Sequence, residues 1–464
     1  MQFDIIVVGS GPGGYVAAIR AAQLGFKTAI VERESLGGIC LNWGCIPTKA
    51  LLKSAQVFEY INHAAEYGIT VGEAKADFGA IIKRSRSVAT KMSGGIQFLM
   101  KKNKIEVVMG NAVLQRDNKV EVTAADGTKK IIGAPHIIIA TGARPKQLPT
   151  VPIDGERVIE YRKAMTLDTQ PKAIVVMGAG AIGIEFAYFY NSLGTKVTVV
   201  EYLDAILPRE DADVSREAEK ALIKQGISIK TGHSVERVEH TKEGCRVHLK
   251  NKGNGSEQVI ECDVVLSATG ITPNTENIGL EALGIKTERG FILVDNYYQT
   301  SAKGIYAIGD VIPTASLAHV ASAEGILCVE RIKGMHVEPI NYNNIPSCTY
   351  CSPEVASVGY TEAEAKAAGY KIKVGKFPFS ASGKASAAGT NTGFVKVIFD
   401  DKYGEFLGAH FVGANVTEMI AEVVVARRLE TTGHEIIKSI HPHPTMSEAI
   451  MEAAAAAYGE VIHM

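Results

Sequence analysis

One pattern occurs twice in this chain of 464 residues and leaves few folds open to it. Residues 4–9, DIIVVG, read as a buried strand, followed by the turn Gly9-Ser10-Gly11-Pro12-Gly13-Gly14. A helical stretch, YVAAIRAAQLG, comes next, then a second strand, KTAIVE, ending in Glu32. Gly9, Gly11 and Gly14 permit a tight turn and a close backbone approach. The helix N-terminus then faces a pyrophosphate, and the acid accepts hydrogen bonds from a ribose. A lone G-x-G-x-x-G is equally an ordinary strand-to-helix turn, but with the acid at the end of the next strand it becomes specific. The unit recurs in KAIVVMGAGAIGIEFAYFYNSLGTKVTVVE, with Gly178, Gly180, Gly183 and Glu201 in the same places. A shorter echo, IIIATGARP and LSATGITPN, places Thr141, Gly142 and Gly270 in matching strand-end turns. The expected fold class is α/β, with two doubly wound, Rossmann-like dinucleotide domains.

The second acid also discriminates between coenzymes. Glu201 would repel a 2′-phosphate and hydrogen-bond a free 2′-hydroxyl, and Tyr202, Leu203 and Asp204 follow it without an arginine. The second fold is therefore expected to prefer NAD(H). A formal net charge of −1 with no basic run argues against a nucleic-acid partner. No uninterrupted apolar run of about 20 residues argues for a membrane span. The opening MQFDIIVVGSGPGG has no charged n-region and apolar h-region, so the expected location is cytoplasmic.

Seven cysteines, odd in number and scattered, do not suggest a disulfide framework. Cys245, Cys262 and Cys328 are read as buried small hydrophobes. Cys348 and Cys351 form a C-x-x-C whose role stays open; no second such pair completes a zinc site, strand alternation would set the two on opposite faces, and no metal is expected. GGICLNWGCIPTK is different. A disulfide needs Cα atoms about 4.4–6.8 Å apart. Positions i and i+5 of a regular helix lie roughly 8–9 Å apart. Gly44 permits a departure and Pro47 is tolerated only in a first turn, so the segment should bend, with a regular helix starting near Cys45. At that helix N-terminus the dipole would favour a thiolate. At the far end of the chain, HPHPTMSEAIMEAA sets His441 and His443 before a helix start, with Glu448 after them. A histidine suits proton transfer near neutral pH, and a carboxylate can fix its tautomer. GIYAIGDV, finally, ends a strand at Gly309-Asp310.

Two dinucleotide folds, the ATG turns, the C-x-N-x-G-C-x-P-x-K segment, the G-D strand end and the H-x-H-P-T-x-S-E segment together resemble the pyridine nucleotide–disulfide oxidoreductases over essentially the whole chain. The resemblance implies FAD in the first fold and NAD in the second, with Asp310 at the flavin ribitol. It implies a redox disulfide in which Cys40 exchanges with substrate and Cys45 faces the flavin. Lys49 would lie near the flavin and pair with Glu185, His443 would be the base, and Glu448 would orient it. Proline 442 stands where many members have alanine. Among its members the disulfide loop and the HPHPT segment look most like those that oxidise dihydrolipoyl groups. That implies a lipoyl-bearing acyltransferase, or a glycine cleavage carrier protein, as partner. A flavin-bearing assembly subunit without turnover is the opposing reading; intact Cys40, Cys45, Lys49 and His443 count against it.

The expected layout is an FAD-binding domain over 1–147, an NAD-binding domain over 148–270, a central domain over 271–343, and a C-terminal α+β domain over 344–464 that forms a homodimer interface.

Overall fold

The computed structural model describes residues 2–464. It divides into two compact units. The first comprises residues 1–50, 79–146 and 270–340, and the second residues 51–78, 147–269 and 341–464.

The first unit is built on a five-stranded parallel sheet in the order Ile305–Ala307, His136–Ile139, Ile5–Val8, Thr28–Glu32, Glu106–Met109. Ile5–Val8 and Thr28–Glu32 are buried along their whole length, as strands covered on both faces must be. The crossover helix between them, Pro12–Gln23, packs on the helix Ala318–Ile332 through small residues. A Cβ on Gly325 would lie 2.8 Å from the Gly13 carbonyl oxygen, so only glycine permits this closeness. The strand Ile305–Ala307, from the stretch 271–343, completes the first sheet. An antiparallel sheet of Asn111–Gln115, Lys119–Thr123 and Lys129–Gly133 adds to this unit.

The second unit repeats the design. Its parallel sheet runs Ser228–Lys230, Lys196–Val200, Ala173–Met177, Val264–Ser267, Val158–Ile159, with Ala181–Ser192 as the crossover helix. An antiparallel sheet of His233–His240, Cys245–Asn251 and Glu257–Cys262 accompanies it. The same unit holds a five-stranded antiparallel sheet in the order Ser347–Thr349, Glu354–Gly359, Phe406–Gly413, Phe394–Asp400, Ile372–Pro378. The helix Glu448–Tyr458 lies close on its last strand, where a Cβ on Gly375 would come within 1.8 Å of the Ala453 carbonyl oxygen. Among the described residues, no helix is long and apolar enough to cross a membrane.

Candidate active site

Both glycine turns have the geometry their sequence requires. Gly9 and Gly178 sit at φ values of 103° and 97°, in the region that favours glycine. A Cβ on Gly14 or Gly183 would collide with the carbonyl oxygen of Gly9 or Gly178, at 1.9 and 2.0 Å. Gly11 and Gly180 differ: a Cβ there would meet no protein atom within 4 Å. Each is the N-cap of its crossover helix, and neither helix has a side-chain cap. Open space in front of uncapped backbone N–H groups is what a phosphate needs.

The two acids are not equally free. Glu32 Oε2 accepts from Ser10 N and Ser10 Oγ, at 3.0 and 2.6 Å, and Oε1 accepts from the amides of Arg33 and Glu34, both at 2.8 Å. Glu201 accepts only from the amides of Ala179 and Leu203, at 2.7 and 2.8 Å, so half of its acceptor capacity remains for a ribose diol. Sequence inspection missed Lys252. It comes to this corner from the end of the strand Cys245–Asn251, donates to the Tyr202 carbonyl at 2.9 Å and lies 4.0 Å from the Tyr202 ring centre.

The ATG turn of the first fold is clamped by Asn274. Thr141 Oγ1 donates to the Asn274 carbonyl at 2.7 Å, Asn274 Nδ2 donates to the Thr141 carbonyl at 3.0 Å, and Asn274 N donates to the Gly142 carbonyl at 2.8 Å. Gly270 takes part through its carbonyl, which accepts from Lys146 N at 3.0 Å. Asp310 occupies the tight turn Gly309–Val311 directly after its strand. Burial, with the charge of Glu324, raises its carboxyl to about 6. Glu324 was also missed. It is fully buried, and accepts from Gly309 N at 2.6 Å and Thr314 Oγ1 at 2.8 Å, fixing the turn that carries Asp310. An acid on the apolar face of AHVASAEGILCV was the available signal.

Cys40 and Cys45 are brought together. Cys40 lies in a short helix, Gly38–Trp43; the backbone breaks at Gly44 (φ −139°, ψ −112°); Cys45 opens the helix Cys45–Asn62, with Pro47 in its first turn. The two sulfurs are in hydrogen-bonding contact. The Cys40 thiol is pushed far up, first by that bond to Cys45, then by burial and the Cys45 charge, while Lys49 works the other way. Lys49 is half-buried, not a solvated helix residue. The helix Phe78–Lys102 backs the segment: Ser85 Oγ donates to the Pro47 carbonyl at 3.0 Å, Ser93 Oγ to the Leu36 carbonyl at 2.9 Å, and Arg86 stacks on Trp43 with its guanidinium carbon 4.2 Å from the ring centre. Asn42 ties the turn that leads into the short helix through bonds to the Leu36 and Gly38 carbonyls, at 3.0 and 2.9 Å.

In the second unit Glu185 is buried and accepts from Tyr350 N at 3.0 Å. The two C-terminal histidines separate sharply. His441 is enclosed, with Nε2 2.7 Å from Glu422 Oε1 and Nδ1 2.9 Å from the Ser439 carbonyl oxygen. Two acceptors, one per ring nitrogen, favour the imidazolium, and the Glu422 bond raises its pKa. His443 has a 79% exposed side chain, with Nδ1 2.8 Å from Glu448 Oε1. The other Glu448 oxygen accepts from Thr445 N at 2.7 Å. Nδ1–H directed at a carboxylate leaves Nε2 as the free base. Cys351 lies beyond the strand Ser347–Thr349, in the bend before Pro353, so strand alternation does not relate it to Cys348.

Comparison with known proteins settles the family. A family model described as pyridine nucleotide-disulphide oxidoreductase matches residues 3–325, and the model of that family's dimerisation domain matches residues 345–454. The chain belongs to the pyridine nucleotide–disulphide oxidoreductases. Its relatives in this family include the dihydrolipoyl dehydrogenases of Rhizobium etli and Zymomonas mobilis, each 50% identical over 100% of this chain and 99% of theirs. That of Bacillus subtilis is 44% identical over 100% and 99%. Among solved structures, LpdA from Mycobacterium tuberculosis superposes with a TM-score of 0.90 at 29% identity, covering 97% of this chain and 99% of that one. As a flavoprotein disulfide oxidoreductase of this family the protein uses FAD and NAD, and its dimerisation domain makes it a homodimer. The open, uncapped turns at Gly11 and Gly180 fit the two dinucleotides.

Proposed function

We propose that the enzyme oxidises protein-bound dihydrolipoamide to lipoamide with NAD+, in the cytoplasm, as a component of 2-oxo acid dehydrogenase or glycine cleavage complexes. The observation that carries this reading is the contact of the Cys40 and Cys45 sulfurs across the Gly44 break, within the unit that holds the first dinucleotide fold. Full-length relatives named dihydrolipoyl dehydrogenase support it. Gly9, Gly11, Gly14, Glu32, Thr141, Gly142 and Asp310 would hold FAD; Gly178, Gly180, Gly183, Glu201 and Gly270 would hold NAD. Bound there, FAD would supply two-electron transfer between the reduced cysteine pair and NAD+.

The chain's own residues do the rest. A substrate thiolate attacks Cys40, the S–S bond breaks, and Cys45 leaves as thiolate at a helix N-terminus, where the dipole stabilises it. The second substrate thiolate attacks the mixed disulfide at the substrate sulfur; lipoamide forms and Cys40 leaves, reprotonated. His443 Nε2 takes the first substrate proton, passes it to the departing Cys40 sulfur and takes the second, with Glu448 holding the ring. Lys49, one turn beyond Cys45, would lie beside the flavin. The functional layout we propose keeps FAD, NAD, central and interface segments at 1–147, 148–270, 271–343 and 344–464.

The direct test is anaerobic titration with one equivalent of NADH. Mass mapping of alkylated peptides should find Cys40 and Cys45 newly reactive and the other five cysteines unchanged. An enzyme in which this pair stays unreactive would be a flavin-bearing subunit without disulfide turnover. Coenzyme choice is tested separately. Glu201→Arg, with a second basic change beside it, is expected to shift the ratio of kcat/KM values toward NADPH at least tenfold, the equivalent of about 1.4 kcal/mol. Equal use of NADH and NADPH by the unaltered enzyme would overturn the role given to Glu201.

A further inference from the structure

The NAD-fold unit contains a second pair of cysteines in contact. Cys245 opens one antiparallel strand and Cys262 ends the next, and the two are direct cross-strand partners. Their sulfurs lie 3.6 Å apart, with side chains almost wholly buried. Directly opposite residues of an antiparallel pair have Cα atoms about 4.5 or 5.5 Å apart, depending on the hydrogen-bond position. Both values fall inside the range of about 4.4–6.8 Å that a disulfide requires. Side-chain rotation alone can close the gap. We propose that Cys245 and Cys262 are a second redox site, converted to a disulfide by hydrogen peroxide.

The surroundings assign the two sulfurs different parts. Arg157 donates to the Asp263 carbonyl at 3.0 Å, which holds a cation beside the pair. The Cys245 thiol is held below its ordinary value, first by its bond to Cys262 and further by Arg157, against burial and the charges of Asp154 and Asp263. Cys262 is pushed up by Cys245 and by burial. His240 is the register partner of Cys245, and its Nε2 lies 3.0 Å from Asp154. Cys245 Sγ lies 3.7 Å from the same Asp263 carbonyl that Arg157 holds, and it directly follows the exposed turn, so Cys245 is given the part of nucleophile and Cys262 that of resolving thiol.

The chemistry closes without another reactant. The Cys245 sulfur attacks one oxygen of hydrogen peroxide, the O–O bond breaks, and a sulfenic acid and one water result. Cys262 then attacks the Cys245 sulfur, the S–O bond breaks, and the S–S bond forms with a second water. Two thiols lose two electrons and the peroxide gains them; the thiol hydrogens end in the two waters. Access also selects the oxidant. Cys245 follows a turn whose tip, Lys242 and Glu243, is exposed. Small openings of that turn admit a molecule little larger than water, whereas a disulfide the size of a tripeptide dimer is excluded.

The test uses the full FAD-loaded enzyme. It is treated with peroxide at a dose that converts the exposed Met464 to its sulfoxide, then unfolded in alkylating agent and mapped by mass spectrometry. The expected result is a reducible cross-link between the Cys245 and Cys262 peptides, while the lone, fully buried Cys328 is alkylated as a free thiol. The oxidised enzyme should also unfold a few degrees higher, because the bond closes the hairpin. Oxidised glutathione at equal oxidising capacity should give no cross-link. In Cys262→Ala a dimedone adduct should form at Cys245; in Cys245→Ala, Cys262 should remain a thiol. Full alkylation of both cysteines in peroxide-treated wild type would overturn the proposal without recourse to any variant.

Discussion

His443→Gln is expected to slow dihydrolipoamide oxidation by about 10²–10⁴-fold, the range typical for removing a positioned base. Electron transfer from NADH to a dye should be nearly unchanged, because it needs only the two nucleotide folds. The geometry behind this is an exposed imidazole whose Nδ1 is taken by Glu448 and whose Nε2 has no protein partner among the described residues. Glutamine keeps the size and loses the proton acceptor. Glu448→Gln should produce a smaller loss, because an amide oxygen can still accept from His443 Nδ1 and hold the ring. The neighbouring His441 offers a control. It is enclosed and held by Glu422, so His441→Gln should affect stability of the segment more than proton transfer.

The same residue tests how the site is assembled. His443 lies within the dimerisation domain, and its ring faces solvent in the single chain. We expect each active site to combine one protomer's cysteine pair with its partner's histidine. A Cys45→Ser homodimer and a His443→Gln homodimer should each be nearly inactive. A hybrid of the two has one site with both groups intact and one with both defects, and should regain about half of the wild-type activity of a dimer if the sites work independently. A doubly tagged, FAD-loaded hybrid with no recovery would mean that base and disulfide act within one chain.

The parts of the fold that the sequence made legible are those with a strong local signal. Both strand–glycine–helix–strand units could be read because each glycine has a steric reason, and the bend between Cys40 and Cys45 because a regular helix cannot bring them together. What escaped was set by residues far apart along the chain. Glu324 holds the turn of Asp310 from another helix, and Lys252 reaches the Tyr202 corner from the end of a distant strand. Cys245 and Cys262 were each legible as buried, yet only strand register makes them a pair. The strand FVKVIFD carried no signal of its own for Lys396: every residue of that strand is buried, and the lysine's partners lie far off along the chain.

Replacing Lys396 by methionine is expected to cost about 3–5 kcal/mol, as removing one partner from a buried ionic cluster does. Its Nζ lies 2.8 Å from Asp211, 3.0 Å from Asp213 and 2.9 Å from Glu362, with a side chain only 3% exposed. Methionine preserves the volume and leaves three carboxylates facing one another. The pH dependence identifies the cause. Burial works against the charge of Asp211 and Asp213, yet Lys396 holds both below their ordinary range; Glu362 is lowered by Lys366 and Lys396. Carboxyls depressed in the folded state contribute stability above their unfolded pKa values, near 4, and lose it as pH falls through the folded ones. Lys396 is itself raised, so its contribution is present below about pH 10 and is lost as pH rises through its folded value. The wild-type advantage should therefore be largest around neutrality. It should shrink from pH 7 toward pH 4, where protonation relieves the repulsion left in the variant. Urea midpoints of the FAD-loaded dimer, followed by flavin fluorescence and circular dichroism, measure both effects. A deficit in Lys396→Met that stayed constant between pH 7 and pH 4.5 would assign the loss to packing rather than to charge.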